Sequence, residues 1–253
     1  MNILLISCYL RDQLKYFFDN KQEYLLLDDS KWFMESIDGG IRDRITLTNI
    51  NAYKNKQFPS PEDISGMIIG GSEYMLSSGN DPWVNRLKNY IENAAGKNTP
   101  ILGVCFGHQL LGQTFGAKIK NKNPREFGTV TITLSEQGRK DKLFRGLDNR
   151  MDVLMAHGDT VENLTPGIHS LAFNDYTQNQ AIAINDNIRG VQFHPEFSVE
   201  IMKALLRARK EDSSTKDPDI KAANTQLRNA PDAKIVLNNF INYFILDTNE
   251  QRH

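Results

Sequence analysis

Short apolar runs alternate along this chain with longer amphipathic stretches, a pattern that predicts alternating strands and helices. The first half predicts strands at residues 2–7 and 66–69, a possible strand at 44–47 and a further strand at 100–102. A helix is predicted from about Pro82 to Ala95, because its apolar residues recur on one face: Val84, Leu87, Ile91 and Ala94.

The second half predicts a half-buried strand at 130–134 and a closing amphipathic helix at 235–245. The other strands predicted there are 153–156, 170–173, 180–184 and 190–193. Short spacings and apolar strands favour an α/β fold of three layers, with a mostly parallel central sheet, helices on both faces and an antiparallel addition in the second half.

The chain, at 253 residues, is long enough for one domain with a substantial core, and we expect a single domain over 1–253. Residues from about 208 to 234 are polar and lack apolar periodicity. They predict a surface loop or helical excursion, of which a solvated linker is the favoured form.

Composition excludes several classes of protein. The formal net charge of −1 predicts neither a nucleic-acid partner nor a membrane partner. The first apolar run is too short for a signal peptide, and no stretch can span a bilayer. The two cysteines, Cys8 and Cys105, lie far apart in sequence, which favours a reduced, cytoplasmic setting. Cys8 ends the first apolar run and is expected to be a core thiol.

The stretch from Gly103 to Gln109 carries the most specific chemical signal. Its sequence is Gly-Val-Cys-Phe-Gly-His-Gln, and it joins a predicted strand to a helix-like run at 110–115, as in the cysteine version of the G-x-S-x-G nucleophile elbow. Each glycine removes a Cβ that would clash at the sharp turn. The sulfur of Cys105 lies at a helix N-terminus, which favours the thiolate, and the Phe106 N–H points towards an oxyanion. A buried structural thiol is the alternative.

A nucleophilic cysteine needs a base and a group that orients it. The segment 189–196 predicts a buried strand ending in His194-Pro195-Glu196, in which residues i and i+2 point to the same side. Pro195 disfavours helix at His194, so Glu196 lies beside the imidazole. A core histidine or a zinc ligand are the alternatives. The zinc interpretation is disfavoured because no cysteine follows Cys105, and neither metal nor cofactor is predicted.

The other histidines rank lower as bases. His253 ends the sequence, His169 is expected at the surface, His108 is expected to pack on the elbow helix, and His157 is a candidate to line the same edge of the sheet. Gly71, Cys105 and His194 each follow a predicted strand, and ligands of such sheets bind at the carboxyl ends of the strands. One shared site is therefore expected.

The Cys105 motif together with His194-Pro195-Glu196 resembles class I glutamine amidotransferases, a family of flavodoxin-like fold. The order of Cys, then His, then Glu two residues later is that of this family, not that of the α/β-hydrolases. Residues 64–72 look like its strand and oxyanion turn. Residues 125–128 and 155–159 resemble the amidotransferase domain of GMP synthase. The resemblance covers roughly residues 2–200.

The resemblance implies that Cys105 attacks the side-chain amide of glutamine. His194, held by Glu196, delivers a proton to the leaving ammonia, and water cleaves the γ-glutamyl thioester. The N–H groups of Phe106 and, by position, Gly71 would hold the oxyanion. The implied substrate-binding residues are Gln109, Gly70, His157, Gly158 and Asp159. The plainer interpretations are a polar residue in the first helical turn for Gln109 and a strand-ending turn for Gly70 and Gly71.

The sequence contains no G-x-x-x-x-G-K-[ST] phosphate loop, and no second domain fits after residue 200. We therefore expect a separate synthase chain to accept the ammonia. A free-standing γ-glutamyl hydrolase or peptidase of the same fold, acting on another γ-glutamyl amide, is the alternative. A binding protein on a retired scaffold is a third possibility, against which the intact Cys105, His194 and Glu196 argue.

Overall fold

The computed structural model describes residues 1–9, 29–79, 81–211 and 227–247, and the structural statements below refer to these ranges. Its strands are β1 (Asn2–Ser7), β2 (Thr46–Asn51), β3 (Gly66–Ile69), β4 (Ile101–Val104), β5 (Lys118–Leu134), β6 (Arg150–Glu162), β7 (Ile168–Phe173), β8 (Ala181–Ile184) and β9 (Ile188–Val191). Its helices are α1 (Asp29–Ser36), α2 (Gly39–Arg42), α3 (Pro82–Gly96), α4 (Phe106–Thr114), α5 (Glu136–Lys140), α6 (Val199–Glu211) and α7 (Asp232–Phe240).

The strands form one mixed sheet in the order β2-β1-β3-β4-β9-β8-β7-β5-β6. The first five are parallel, in the flavodoxin-like order, and the rest are joined by antiparallel pairings. The α/β class with an antiparallel addition is confirmed. That addition supplies half of the strand pairings, since four of the eight are antiparallel.

Two hydrophobic clusters lie on opposite faces of the parallel half. In β1, Ile3 and Leu5 pack on one face with α1 and α7, whereas Leu4 and Ile6 pack on the other with α3 and α4. This alternation follows from the two-residue repeat of a strand that is buried on both sides. The three-layer architecture is therefore confirmed.

The strands that differ most in extent from their predictions are β2, β5 and β6, of which β6 runs from Arg150 to Glu162 where the sequence predicted 153–156. β2 runs from Thr46 to Asn51, whereas the sequence predicted 44–47. It is an edge strand rich in threonine and asparagine, so apolar patterning locates it poorly. β5 begins at Lys118, well before the predicted 130–134. Its first part is mostly exposed and polar, so apolar alternation does not reveal it.

α6 continues through Glu211 and α7 begins at Asp232, so most of the polar excursion predicted at 208–234 lies outside the described residues, as does His253. The closing helix is confirmed: α7 continues as a π-helical segment, Ile241–Leu246. The extent of the domain, 1–253, stays a prediction.

The described helices are short or amphipathic. α3, with 15 residues, is amphipathic. Within the described ranges, no helix combines the length and the apolar character that crossing a membrane requires.

Candidate active site

Cys105 lies between β4 and α4 in a backbone conformation that L-residues rarely adopt, with φ 52° and ψ −100°. Its N–H donates to the Val191 carbonyl at 2.8 Å, which ties the turn to β9. Because Cys105 caps α4, the N–H of Phe106 is a first-turn donor without an intrahelical acceptor. The sulfur thus sits at a helix N-terminus, as the elbow motif predicts.

The two glycines of the motif are both required by close packing. A Cβ on Gly103 would lie 2.5 Å from the Gly107 carbonyl group, and a Cβ on Gly107 would overlap the Ile69 carbonyl oxygen. Neither clash involves a flexible side chain, so the backbone itself would have to move. The predicted reason for both glycines is confirmed.

Gly107→Ala is expected to destabilise the protein by about 1–3 kcal/mol or more, since overpacking against fixed backbone costs that much. The measurement is the urea midpoint of unfolding. Gly96→Ala is the matched control, because a Cβ at that helical glycine meets nothing within 4 Å. Equal midpoints for the two variants would contradict the packing argument.

His194 and Glu196 form a buried hydrogen-bonded pair, with 2.7 Å between His194 Nδ1 and Glu196 Oε1. The imidazole also stacks on Phe197, with ring centroids 3.8 Å apart. β9 ends at Val191, so the pair lies in a bend beyond the strand, whereas the sequence predicted a strand to 193 and on to the histidine. The predicted adjacency nevertheless holds, and Nδ1 is taken by the carboxylate.

The charges around His194 favour its protonated form. Burial by itself lowers the pKa of His194, but the charges of Glu196 and Cys105, with hydrogen bonds to both side chains, raise it to about 10. Since Nδ1 faces Glu196, Nε2 is the nitrogen available to Cys105. An imidazolium held beside the sulfur at neutral pH stabilises a thiolate.

The carboxyl ends of β3, β4 and β9, which are neighbours in the sheet, bring Gly71, Cys105 and His194 together. A Cβ on Gly71 would lie 2.9 Å from His194 Cε1, so only glycine fits there without displacing the imidazole. The N–H of Gly70 donates to the Ile6 carbonyl at 3.0 Å and belongs to the sheet.

Cys105 opens onto a narrow pocket of about 30 Å³, room for a water molecule or two. Its described lining residues are Ser72, Glu73, Tyr74, Met75, Cys105, Gln109, Arg125, Ala156, His157, Gly158 and Asp159. Four of the five implied substrate-binding residues therefore share the pocket with the cysteine, and Gly70 is not in this lining.

Hydrogen bonds already engage the polar groups of this pocket. Gln109 Nε2 donates to the Asp159 carbonyl at 2.7 Å and to Gln192 Oε1 at 3.2 Å. The Asp159 carboxylate accepts from the N–H of Ser77 at 2.9 Å, from its hydroxyl at 2.6 Å, and from Asn121 Nδ2 at 3.0 Å. Asp159 thus fastens the loop before α3 to β6 and keeps the pocket narrow.

His157 is paired with Glu126, which sequence reasoning did not assign. Nε2 of His157 lies 2.9 Å from Glu126 Oε2, and Asn174 and Gln180 donate to the same carboxylate at 2.6 and 2.8 Å. Burial raises the pKa of Glu126, but hydrogen bonds from His157, Gln180 and Asn174 and the charge of His157 lower it overall. His157 is therefore held in the pocket wall by β5, on which residue 126 pairs with residue 157.

The remaining described histidines and the second cysteine match their predictions. His108 is fully buried on α4, and burial lowers its pKa to about 3. His169 is exposed on β7. Cys8 is a buried core thiol, whose pKa is raised by burial first and by nearby carboxylates second.

Comparisons with known proteins identify the family and the fold. The family model described as glutamine amidotransferase class-I matches residues 32–210, which include Cys105, His194 and Glu196. A glutamine-hydrolysing GMP synthase of Borreliella burgdorferi is 31% identical over 184 residues, which cover 71% of this chain and 34% of that protein. One subunit of the glutamine-hydrolysing GMP synthase of Pyrococcus abyssi is 36% identical over 135 residues, 53% of this chain and 67% of that protein.

A crystal structure of a glutamine amidotransferase from Thermotoga maritima shares the fold, with a TM-score of 0.72 at 23% identity. The match covers 97% of this chain and 98% of that one. Against the two Borreliella relatives, in contrast, this chain spans only about a third of their length, 34% and 36%.

Proposed function

The chain belongs to the class I glutamine amidotransferase family, and on that premise we propose that it hydrolyses the side-chain amide of glutamine through Cys105, His194 and Glu196. The observation that carries the proposal is the arrangement around one imidazole. His194 is hydrogen-bonded through Nδ1 to the buried Glu196 carboxylate, and the cysteine of the strained elbow lies close enough to raise the pKa of the imidazole. This is the nucleophile, base and orienter set of covalent acyl transfer.

The proposed reaction begins with attack of the Cys105 thiolate on the amide carbon. The N–H groups of Phe106 and Gly71 hold the oxyanion of the tetrahedral intermediate. The His194 imidazolium gives its proton to the leaving nitrogen, ammonia departs, and a γ-glutamyl thioester remains. The imidazole then takes a proton from water as water attacks the thioester, and collapse of the second tetrahedral intermediate expels the Cys105 thiolate, releases glutamate and restores the thiolate–imidazolium pair.

Glu196 keeps the proton on His194 in this scheme. Its Oε1 accepts from Nδ1, and its Oε2 has no hydrogen-bond partner among the described residues, so its charge acts chiefly on the imidazole. The pKa of about 10 leaves His194 protonated at neutral pH, ready to donate to the leaving group.

We further propose that the ammonia passes to a synthase on a separate chain. Several relatives are named as one subunit of a glutamine-hydrolysing GMP synthase, a name that implies another subunit in those proteins. The same names favour an amidotransferase over a free-standing γ-glutamyl hydrolase. The acceptor of the ammonia would then be chemistry of the partner, consistent with the lack of a phosphate loop in the sequence.

The purified chain is expected to release ammonia and glutamate from glutamine in equal amounts, but slowly, because its pocket is narrow when no partner is bound. The measurement is steady-state turnover on glutamine and on γ-glutamyl dipeptides, with both products followed. Faster turnover of the dipeptides than of glutamine would replace the amidotransferase assignment with the hydrolase one. The absence of turnover on every γ-glutamyl substrate, with and without candidate synthases, would refute the proposed activity.

A further inference from the structure

Arg125 enters the pocket from a distorted part of β5. The register between β5 and β6 shifts between Asn121 and Glu126, directly before the pairing of Glu126 with His157. Such irregularities re-aim side chains beside functional sites. In this case the side chain that is redirected into the pocket wall is that of Arg125.

The path of Arg125 depends on the glycine opposite it. A Cβ on Gly158 would lie 3.1 Å from Arg125 Cγ and 3.2 Å from Nε, closer than most side chains tolerate. The arginine therefore crosses β6 where no side chain stands in the way. This contact joins the two sequence segments 125–128 and 155–159. No residue of either segment takes part in a catalytic step of the proposed mechanism.

The guanidinium of Arg125 has few partners. Of its five N–H donors, one contacts Met75 Sδ at 3.6 Å, and a thioether is a weak acceptor. In the part of the chain that the structure describes, no carboxylate lies within ion-pair distance of Arg125. The Asp159 carboxylate in the same pocket is taken by Ser77 and Asn121. Arg125 thus shares a narrow pocket with Cys105 and Gln109, and neither carboxylate of that pocket, Glu73 or Asp159, forms an ion pair with it among the described residues.

We infer that Arg125 binds the α-carboxylate of the substrate and so selects free γ-glutamyl compounds. This inference rests on the proposed function, since it places the amide of the substrate at Cys105 and its carboxylate at the far side of the pocket. The planar guanidinium fork matches a carboxylate with two parallel hydrogen bonds. When the substrate enters, Arg125 loses its weak contact with Met75 and forms these two hydrogen bonds with the carboxylate.

The inference narrows the substrate class. Glutamine and γ-glutamyl peptides both carry a free α-carboxylate and remain substrates. Glutamine inside a polypeptide, or glutamine whose α-carboxylate is an amide, lacks the group and is rejected. A site that is built to pair a charged group discriminates strongly against the analogue without it, because its own charge is then left unpaired.

The test compares glutamine with L-glutaminamide on wild-type protein, Arg125→Gln and Arg125→Lys. Arg125→Gln is expected to raise the KM for glutamine about 10- to 100-fold, the range for loss of a charged hydrogen bond, with a smaller change in kcat. Its kinetics on glutaminamide should equal those of the wild type. The KM of Arg125→Lys for glutamine should lie between those of the wild type and Arg125→Gln, since lysine keeps the charge but not the planar fork of donors. Arg139→Gln, at an exposed arginine of α5, is the matched control.

Alkylation by iodoacetamide separates this inference from the proposed function, because the reagent has no α-carboxylate. Cys105 should be alkylated at the same rate in wild type and Arg125→Gln. An unchanged KM for glutamine in Arg125→Gln, or an equal loss on glutamine and glutaminamide, would overturn the role of Arg125 while leaving the triad in place. If the wild type hydrolyses no γ-glutamyl substrate although Cys105 is alkylated, the proposed function fails and this inference with it.

Discussion

Replacing Cys105 with alanine is expected to lower the turnover of glutamine by about 10⁶-fold, the typical cost of removing the nucleophile of a triad that acts as a unit. No described residue offers a second nucleophile at the elbow, and alanine cannot form the thioester. The fold should persist, because alanine removes one sulfur from a residue whose backbone is tied to β9 by the Val191 carbonyl. The measurement is glutamate release at saturating glutamine, with the urea midpoint measured on the same protein.

Cys8→Ala is the matched control for that experiment. Cys8 is buried at the end of β1, and its raised pKa keeps it a neutral thiol. Its loss is expected to cost stability and to leave turnover near that of the wild type. Retention of even a tenth of wild-type turnover by Cys105→Ala would refute the nucleophile assignment.

His194→Asn is expected to abolish thioester formation at neutral pH, whereas Glu196→Gln should do less harm and should change the pH profile. The proton-donating form of His194 is lost as the pH rises through its pKa of about 10. Because the charge of Glu196 helps to raise that pKa, its removal lowers the pKa, and the alkaline limb of kcat/KM moves to lower pH.

The pH–rate profile of each variant checks this expectation. The exposed His169 provides the control substitution, His169→Asn, which should follow the wild-type profile. An alkaline limb that stays in place in Glu196→Gln would show that the carboxylate does not set the proton affinity of the base. If His157→Asn were as damaging as His194→Asn, the base would have to be reassigned.

The raised pKa of His194 also makes the stability of the fold depend on pH. A histidine whose folded-state pKa lies above its unfolded value of about 6.5 stabilises the fold most fully below that pH. For His194 the contribution is lost progressively as the pH rises towards about 10. Unfolding midpoints of the wild type should therefore decline over that window more than those of His194→Asn.

The elbow was predictable from sequence because its determinants are local. Gly103, Cys105 and Gly107 mark the junction of an apolar strand and an amphipathic helix. The steric reason for Gly103 lies within a few residues, at the Gly107 carbonyl, whereas the one for Gly107 is the Ile69 carbonyl of the neighbouring strand β3. The adjacency of His194 and Glu196 is equally local. It survives the end of β9 at Val191, since the spacing of two and the intervening proline hold it in a bend as well as in a strand.

The pairing of Glu126 with His157 and the contact of Arg125 with Gly158 were not predicted. Each joins residues about 30 positions apart, through the register of two long antiparallel strands whose polar parts give no clear apolar alternation. The bond between Ser77 and Asp159 likewise depends on a loop without periodicity. Apolar patterning locates buried strands and helices. It does not supply the register between strands, which decides the polar contacts across them.

The backbone conformation of Cys105 carries a cost in stability. A residue with φ near 50° outside the common regions costs of order 1–3 kcal/mol, and glycine would relieve much of that cost. A chain under selection for stability alone would drift to glycine there, because natural proteins lie close to the threshold below which they unfold. The cysteine at this position therefore costs the fold stability, a cost that the proposed role as nucleophile explains.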